Sequence, residues 1–128
     1  MIYVDTSVCL AQILSEDRRP EEWLWQESLV SSRLLEYESW NRLNALGLDQ
    51  VYEEAVRSLI GRIGLLEMSP VVLARACEPF PTSVRTLDAL HLASANYLIE
   101  QKQLVSLATF DERMAKAALA MGIERVEI

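Results

Sequence analysis

Four acidic residues of this chain stand where an acid is costly or unexpected. Asp5 ends an apolar N-terminal stretch, Glu38 lies among aromatic residues, Asp88 lies in an apolar segment, and Asp111 follows a further apolar stretch. A buried acid is rarely tolerated without a partner, and several carboxylates brought together repel one another. A divalent cation would neutralise such a group, and oxygen ligands alone favour Mg²⁺ or Mn²⁺. Zinc would require His or Cys ligands, and none is placed for it.

Most of these acids also have a structural explanation. Asp5 and Asp111 each precede a predicted helix, so each is equally well explained as a helix N-cap. In SSRLLEYESWNRL (31–43) the helical pattern barely separates Glu38 from Glu36. An exposed helix glutamate is the simpler interpretation there.

The segment TLDALHLASA (86–95) is the most informative in the chain. It is apolar nearly all round, which predicts a buried helix and favours a functional explanation for Asp88. His91, the single histidine, lies one helical turn later; a hydrogen-bonded core residue is the first interpretation and proton transfer the alternative. Cys9 and Cys77 form no metal-ligand pattern and are predicted to be buried thiols in a reducing compartment.

Short apolar runs alternate with longer segments of helical period along the chain. Strands are predicted at 2–5, 28–31, 65–68, 104–109 and 124–128. Helices are predicted at 7–14, 21–26, 34–46, 51–61, 71–77, 84–100 and 111–121. Gly47 is a plausible helix end, and Asp49 is the predicted N-cap of the helix that follows.

This alternation predicts an α/β fold, a three-layer α/β/α sandwich. Right-handed crossovers would build a central, mainly parallel sheet of four or five strands. Sites in such folds form beyond the carboxyl ends of the strands. Asp5 and Asp111 follow strands on that side, and Glu38 and Asp88, early in helices, can line the same edge.

Length, composition and charge narrow the class of protein. A chain of 128 residues, 51% of them hydrophobic, is expected to fold as one domain over 1–128. The opening has no basic segment followed by an apolar one, and no apolar run approaches the roughly 20 residues of a membrane span. A cytoplasmic location without membrane contact is therefore expected. The net charge of −7 argues against a nucleic-acid coat or scaffold, but not against an enzyme that meets nucleic acid through metal ions.

Four segments in this order resemble the PIN-domain family, and within it the VapC-type ribonuclease toxins of toxin–antitoxin modules. They are MIYVDTSV, SSRLLEYE, RTLDALHLASA and LATFDERMAKAALAMG, and the resemblance spans the whole chain. It implies catalytic metal ligands at Asp5, Glu38, Asp88 and Asp111, supported by Thr6, Ser7 and Thr109.

The resemblance also separates two acids that the helical pattern leaves open. Glu38 is preferred to Glu36 because the family's glutamate follows a Ser-x-Leu segment at about this spacing. The chain departs from the family at Asn41, where an arginine is common, and Arg42 stands beside it.

The activity that the resemblance implies is Mg²⁺- or Mn²⁺-dependent endoribonuclease activity. A metal-activated water would attack the phosphodiester, so no covalent nucleophile is needed. Arg85 and Arg113 are the arginines nearest to the motif acids and are candidates for contact with RNA phosphate.

The resemblance further implies protein partners: a cognate antitoxin and a homodimer. The expected antitoxin contact is an amphipathic helix in an apolar groove. Candidate anchors in that groove are Trp23, Trp25 and Trp40. Packing in the protein's own core is an equally good explanation for one or two of them.

Two other classes of protein are weighed against this one. A phosphotransfer domain also places Asp at the ends of parallel strands with Mg²⁺, but a haloacid-dehalogenase-like phosphatase needs an Asp where Ser7 stands. A catalytically silent PIN-like domain that only binds protein or RNA is the second alternative. The retention of all four acids argues against it.

Overall fold

Four short parallel strands form the centre of the fold. The computed structural model describes residues 1–128. The strands are β1 (Ile2–Val4), β2 (Leu29–Ser32), β3 (Ile63–Leu66) and β4 (Ser106–Ala108). The helices are α1 (Thr6–Ile13), α2 (Arg33–Leu46), α3 (Asp49–Ile60), α4 (Pro70–Ala76), α5 (Thr86–Glu100) and α6 (Glu112–Ala120), with a 3₁₀-helix at Glu22–Gln26.

The order of the strands places a change of direction beside β1. The sheet order is β3-β2-β1-β4, and all neighbours are parallel. The chain therefore builds outward from β1 to β3 and then crosses to the other side of β1 to form β4. In register, Tyr3 lies between Val30 and Leu107. The carboxyl ends of β1 and β4 thus meet where the strand order reverses, the usual position of a site in an open parallel sheet.

Two separate cores lie on the two faces of the sheet, because successive strand residues point to opposite sides. Val4 and Ala108 belong to a core built with α1, α2 and α3. Tyr3 and Leu107 belong to a second core built with α5 and α6. This arrangement confirms the predicted three-layer α/β/α architecture.

Several predicted boundaries are wrong, mostly at the periphery. The third strand begins at Ile63, where it pairs with Leu29, and not at residue 65. It ends at Leu66, and Ser69 then caps α4 by accepting a hydrogen bond from Val72 N. The helix predicted at 84–100 begins at Thr86. The helix predicted at 21–26 is the 3₁₀-helix.

The C-terminal prediction and two local predictions also need correction. The strand expected at 124–128 is reduced to one bridge between Arg125 and Leu107, so the sheet has four strands. Asp49 is the first residue of α3 and not its cap, which is Leu48 without a side-chain hydrogen bond. Cys9 is buried as predicted, but Cys77 is exposed, because it ends the short helix α4 at the surface. None of the helices combines the length and the apolar composition needed to cross a membrane.

Gly122 lets the chain turn from α6 back toward β4. Its φ of 83° lies in the left-handed region. Gly122 N donates to Leu119 O and Ile123 N donates to Ala118 O, each at 2.9 Å, which is the pattern of a Schellman motif. The turn brings Glu124 to β4, where its carbonyl accepts a hydrogen bond from Leu107 N at 2.8 Å.

We predict that Gly122→Ala lowers the free energy of unfolding by about 1 kcal/mol, the cost of a side chain in the left-handed region. No atom lies within 4 Å of the added methyl group, so the loss would be conformational and not steric. Gly64→Ala is the matched control, because its methyl group would make only an ordinary contact, 3.6 Å from Leu29 O. Urea denaturation of both variants measures the difference; equal stabilities would contradict the prediction.

Candidate functional site

All four predicted acids line one cleft beyond the carboxyl ends of β1 and β4. The cleft has a volume of about 510 Å³, and we call it the acidic cleft. Its other polar lining residues include Thr6, Ser7, Arg42, Arg85 and His91. Each acid comes from a different part of the chain, and the fold brings them together as the sequence predicts.

Asp5 is both a helix cap and a wall of the acidic cleft. Its Oδ1 accepts hydrogen bonds from Ser7 Oγ at 2.6 Å and from Val8 N at 3.4 Å, so it is the N-cap of α1. Its Oδ2 accepts from Thr109 Oγ1 at 2.6 Å, across the gap between β1 and β4. Only 3% of the residue is exposed. Burial raises the pKa of Asp5, and the hydrogen bonds from Ser7 and Thr109 oppose that shift.

Asp111 also combines the two explanations that the sequence leaves open. Its Oδ1 accepts from Arg113 N at 2.9 Å and from Met114 N at 3.2 Å, so it is the N-cap of α6. Thr109 joins it to Asp5, because Thr109 Oγ1 accepts from Asp111 N at 2.9 Å while donating to Asp5. One buried hydroxyl, that of Thr109, therefore links the carboxylate of Asp5 to the backbone of Asp111.

Arg125, which sequence reasoning missed, holds the backbone of Thr109 in the segment between β4 and α6. It donates to Thr109 O through Nε at 3.1 Å and through Nη2 at 2.7 Å. Its only sequence signal was its position in the predicted last strand. The carbonyl that it holds belongs to the residue whose hydroxyl joins the two acids.

Asp88 is the third residue of α5 and is 9% exposed. It is not the N-cap, a position that Arg85 occupies without a side-chain cap. Arg85 bridges two acids: Nε lies 3.0 Å from Asp88 Oδ2, and Nη2 lies 2.7 Å from Asp111 Oδ2. The hydrogen bond to Asp88 raises the pKa of Arg85, so the guanidinium stays charged. Asp88 Oδ1 has no protein hydrogen-bond donor.

Glu38 faces the acidic cleft, whereas Glu36 faces away from it. Glu38 Oε1 accepts from Thr6 Oγ1 at 2.8 Å and lies 2.6 Å from His91 Nε2. Glu36 instead pairs with Arg33 at 3.3 Å on the surface. Of the two glutamates, Glu38, the one that the family resemblance favoured, is thus the one that lines the cleft.

His91 is a buried, hydrogen-bonded residue, as its first interpretation held. Its Nδ1 lies 2.7 Å from Tyr3 Oη, and the two rings meet edge to face. Tyr3 is fully buried, and burial raises its pKa well above the ordinary value, so the phenol keeps its proton. Sequence reasoning missed this role of Tyr3; the signal was its position two residues before Asp5 on a strand whose alternate residues face opposite cores.

The acidic cleft suits a hard cation, although the four acids do not form a ready ligand cluster. No three His, Cys, Asp or Glu side chains converge closely enough to make a metal site as they stand. The carboxylates are divided instead among hydroxyl donors, His91 and Arg85. The guanidinium held between Asp88 and Asp111 demonstrates that positive charge is accommodated there. With oxygen as the only donor atom of the four acids, the residues fit Mg²⁺ or Mn²⁺.

Unlike the four acids, the two arginines predicted to contact RNA phosphate do not lie in the same place. Arg85 lines the acidic cleft, but Arg113 is exposed outside it. Arg42, beside the Asn41 departure, lines the cleft as well.

The three tryptophans do not share a groove. Trp25 is buried in the core on the α1 side, so its ring is not available to a partner. Trp40 packs partly against the same core under the guanidinium of Arg57, and Trp23 is 38% exposed in a separate hollow beside Leu104.

The sequence of this chain is similar to a known protein family and to several named proteins. The sequence model of the PIN domain matches residues 2–119. Ribonuclease VapC35 of Mycobacterium tuberculosis is 30% identical to this chain, covering 96% of the chain and 93% of the relative. Ribonuclease VapC46 of the same organism is 33% identical and Ribonuclease VapC47 is 28% identical, each covering 95% of the chain and 93% of the relative.

We predict that, in buffer with a chelator, Asp5→Asn is at least as stable as the unsubstituted chain at pH 8, because Asn also caps helices well and carries no buried charge. The pKa of Asp5 is raised in the folded protein, so folded chains hold this proton to higher pH than unfolded chains. The free energy of unfolding of the unsubstituted chain should therefore fall, relative to the variant, as pH rises from the ordinary value of 3.8 through the raised pKa.

Urea denaturation at several pH values gives this difference. Asp17→Asn, which removes an exposed acid, is the control for net charge. An advantage of Asp5→Asn that grows toward low pH would contradict the sign of the shift.

Proposed function

Because this chain belongs to the PIN-domain family, we propose that it is a metal-dependent endoribonuclease that hydrolyses RNA phosphodiester bonds with Mg²⁺ or Mn²⁺. The observation that carries the proposal is the convergence of four carboxylates, from four separate elements, on one cleft at the strand-order reversal. The names of the relatives, ribonucleases over nearly the full length of this chain, support the same activity.

The proposed ligands are Asp5, Glu38, Asp88 and Asp111. When bound, Mg²⁺ or Mn²⁺ would make a water molecule a stronger nucleophile at neutral pH and would stabilise charge on the phosphate oxygens. Glu38 Oε2 and Asp88 Oδ1 have no protein donor, so they are the carboxylate oxygens most available to a cation. Asp5 is instead held by three donors, which fix its position in the wall of the cleft.

Arg85 is suited to balance charge and to bind phosphate. Its side chain is 62% exposed, so its ion pairs with Asp88 and Asp111 are solvated and weakly held. We propose that it turns to the RNA phosphate when a metal cation takes over neutralisation of the two acids, with Arg42 as a second cleft-lining cation. RNA approach to this acidic protein would then follow cation binding.

Family membership also supports protein partners. We propose that the chain is the toxin of a toxin–antitoxin pair, that a cognate antitoxin protein restrains it, and that it forms a homodimer. A catalytically silent domain that only binds RNA or protein is the competing proposal, and the two following experiments separate them.

We predict that the purified chain cleaves RNA with Mg²⁺ or Mn²⁺ and stops when EDTA is added, because uncompensated carboxylates repel phosphate. Gel analysis of a labelled RNA, with excess Mg²⁺ restored after EDTA as control, measures this. Cleavage that continues in EDTA would contradict the metal mechanism, and absence of cleavage under all conditions would favour the silent alternative.

We predict that Glu38→Gln and Asp88→Asn each lower kcat at least about 100-fold, or about 2.7 kcal/mol of activation free energy, because each removes a proposed ligand of the metal. Glu36→Gln is the matched control, on the same helix but facing Arg33 and solvent, and should keep full activity. Circular dichroism of each variant checks folding. Equal activity of the Glu38 and Glu36 variants would refute the assignment of Glu38.

A further inference from the structure

Glu38 is supported from beneath by a buried chain of hydrogen bonds that the proposed catalysis does not itself require. His91 Nε2 lies 2.6 Å from Glu38 Oε1, and His91 Nδ1 lies 2.7 Å from Tyr3 Oη. His91 is 2% exposed and Tyr3 is fully buried in the core between the sheet and α5. The chain Tyr3–His91–Glu38 therefore runs from the centre of the sheet to the acidic cleft.

The neighbouring groups determine where the protons lie. The two hydroxyls near Tyr3, those of Ser31 and Ser94, donate to the carbonyls of Val4 at 2.6 Å and Leu90 at 2.8 Å. Tyr3 keeps its proton, and the one hydrogen bond that its Oη makes is to His91 Nδ1 at 2.7 Å, so this nitrogen is the acceptor. A neutral imidazole that accepts at Nδ1 carries its proton on Nε2. That proton points at a carboxylate oxygen, which can only accept.

We propose that His91 is a positioning residue, which holds Glu38 Oε1 through Nε2–H so that Oε2 remains available to a cation in the acidic cleft, and that Tyr3 fixes the imidazole in this tautomer. The inference rests on the proposed function. It extends the site by two residues that act on the cation through Glu38.

The support matters because a glutamate is otherwise poorly fixed. Its side chain has more rotatable bonds than that of an aspartate, and Glu38 is neither a helix cap nor paired with Arg85. Thr6 and His91 together hold one oxygen of Glu38. His91 is in turn buried and hydrogen-bonded to the buried Tyr3. Partners of this kind that orient a metal ligand typically contribute 10- to 100-fold to metal affinity or activity.

The first test uses the single histidine of the chain, whose ring nitrogens give unambiguous ¹⁵N resonances. In metal-free protein we expect one neutral tautomer with the proton on Nε2, and we expect Tyr3→Phe to mix the two tautomers. Tyr97→Phe, a change of the same kind further along α5, is the control and should leave the spectrum unchanged. A dominant Nδ1–H tautomer in the unsubstituted protein would overturn the proposal.

The second test measures binding of Mn²⁺ alone by calorimetry. Tyr3→Phe should weaken Mn²⁺ binding about tenfold and lower kcat for RNA with little change in KM. His91→Gln, whose amide reaches the position of Nε2, should retain more affinity than His91→Asn, whose amide reaches only that of Nδ1. This order would not follow from a purely structural role, and it remains measurable if one variant is too unstable.

The outcomes separate this inference from the proposed function. Unsubstituted protein that binds Mn²⁺ and cleaves RNA, with Tyr3→Phe unchanged in both, would overturn the positioning role alone. Unsubstituted protein that binds no Mn²⁺ would overturn both proposals.

Discussion

The hydrogen bond from Thr109 Oγ1 to Asp5 Oδ2 is the contact on which the arrangement of the site depends. A carboxylate at the end of a central strand loses its hydration, and that cost is offset only by donors placed in advance. Ser7 and Val8 donate from the start of α1, but Thr109 donates from the chain just after β4, so β1 and β4 must be neighbours and their ends must coincide. The pairing of β1 with β4 and the position of the acidic cleft thus satisfy one buried acid. Phe110 N, which donates to Ser7 Oγ at 3.1 Å, ties the same two ends together a second time.

The architecture was predictable because the strongest signals in the sequence are periodic and local. The alternation of short apolar runs with helical segments requires parallel crossovers, and Gly47 ends α2 in a left-handed conformation as its position indicates. The strand boundaries that were predicted wrongly depend on contacts between residues distant in sequence. The start of β3 depends on its pairing with β2, and the last strand shrinks to a bridge because its pairing is limited to β4.

For the site as well, the features set by local sequence were predictable and those set by distant contacts were not. Residue types and strand ends identified Asp5, Asp88 and Asp111 as unusual, but no pattern within 31–43 distinguished Glu38 from Glu36. The fold distinguishes them by direction, toward His91 or toward Arg33. From the sequence, helix cap and site residue were alternatives for Asp5 and Asp111, but each residue is placed for both. In each, Oδ1 caps a helix, while Oδ2 accepts from Thr109 in Asp5 and from Arg85 in Asp111. A linear sequence cannot separate the two oxygens of one carboxylate.

This double use of Asp5 and Asp111 has a genetic consequence. An Asp codon becomes an Asn codon by a single G-to-A transition, and Asn is among the best helix caps. Under the proposed function, the change would remove a metal-binding charge from the cleft while the helix keeps its first turn, so an inactive protein that keeps its fold would be one base away at each of two positions. In a lineage where the activity becomes harmful, such intact but inactive copies should arise more readily than unfolded ones, and they would still occupy any partner that recognises the folded surface.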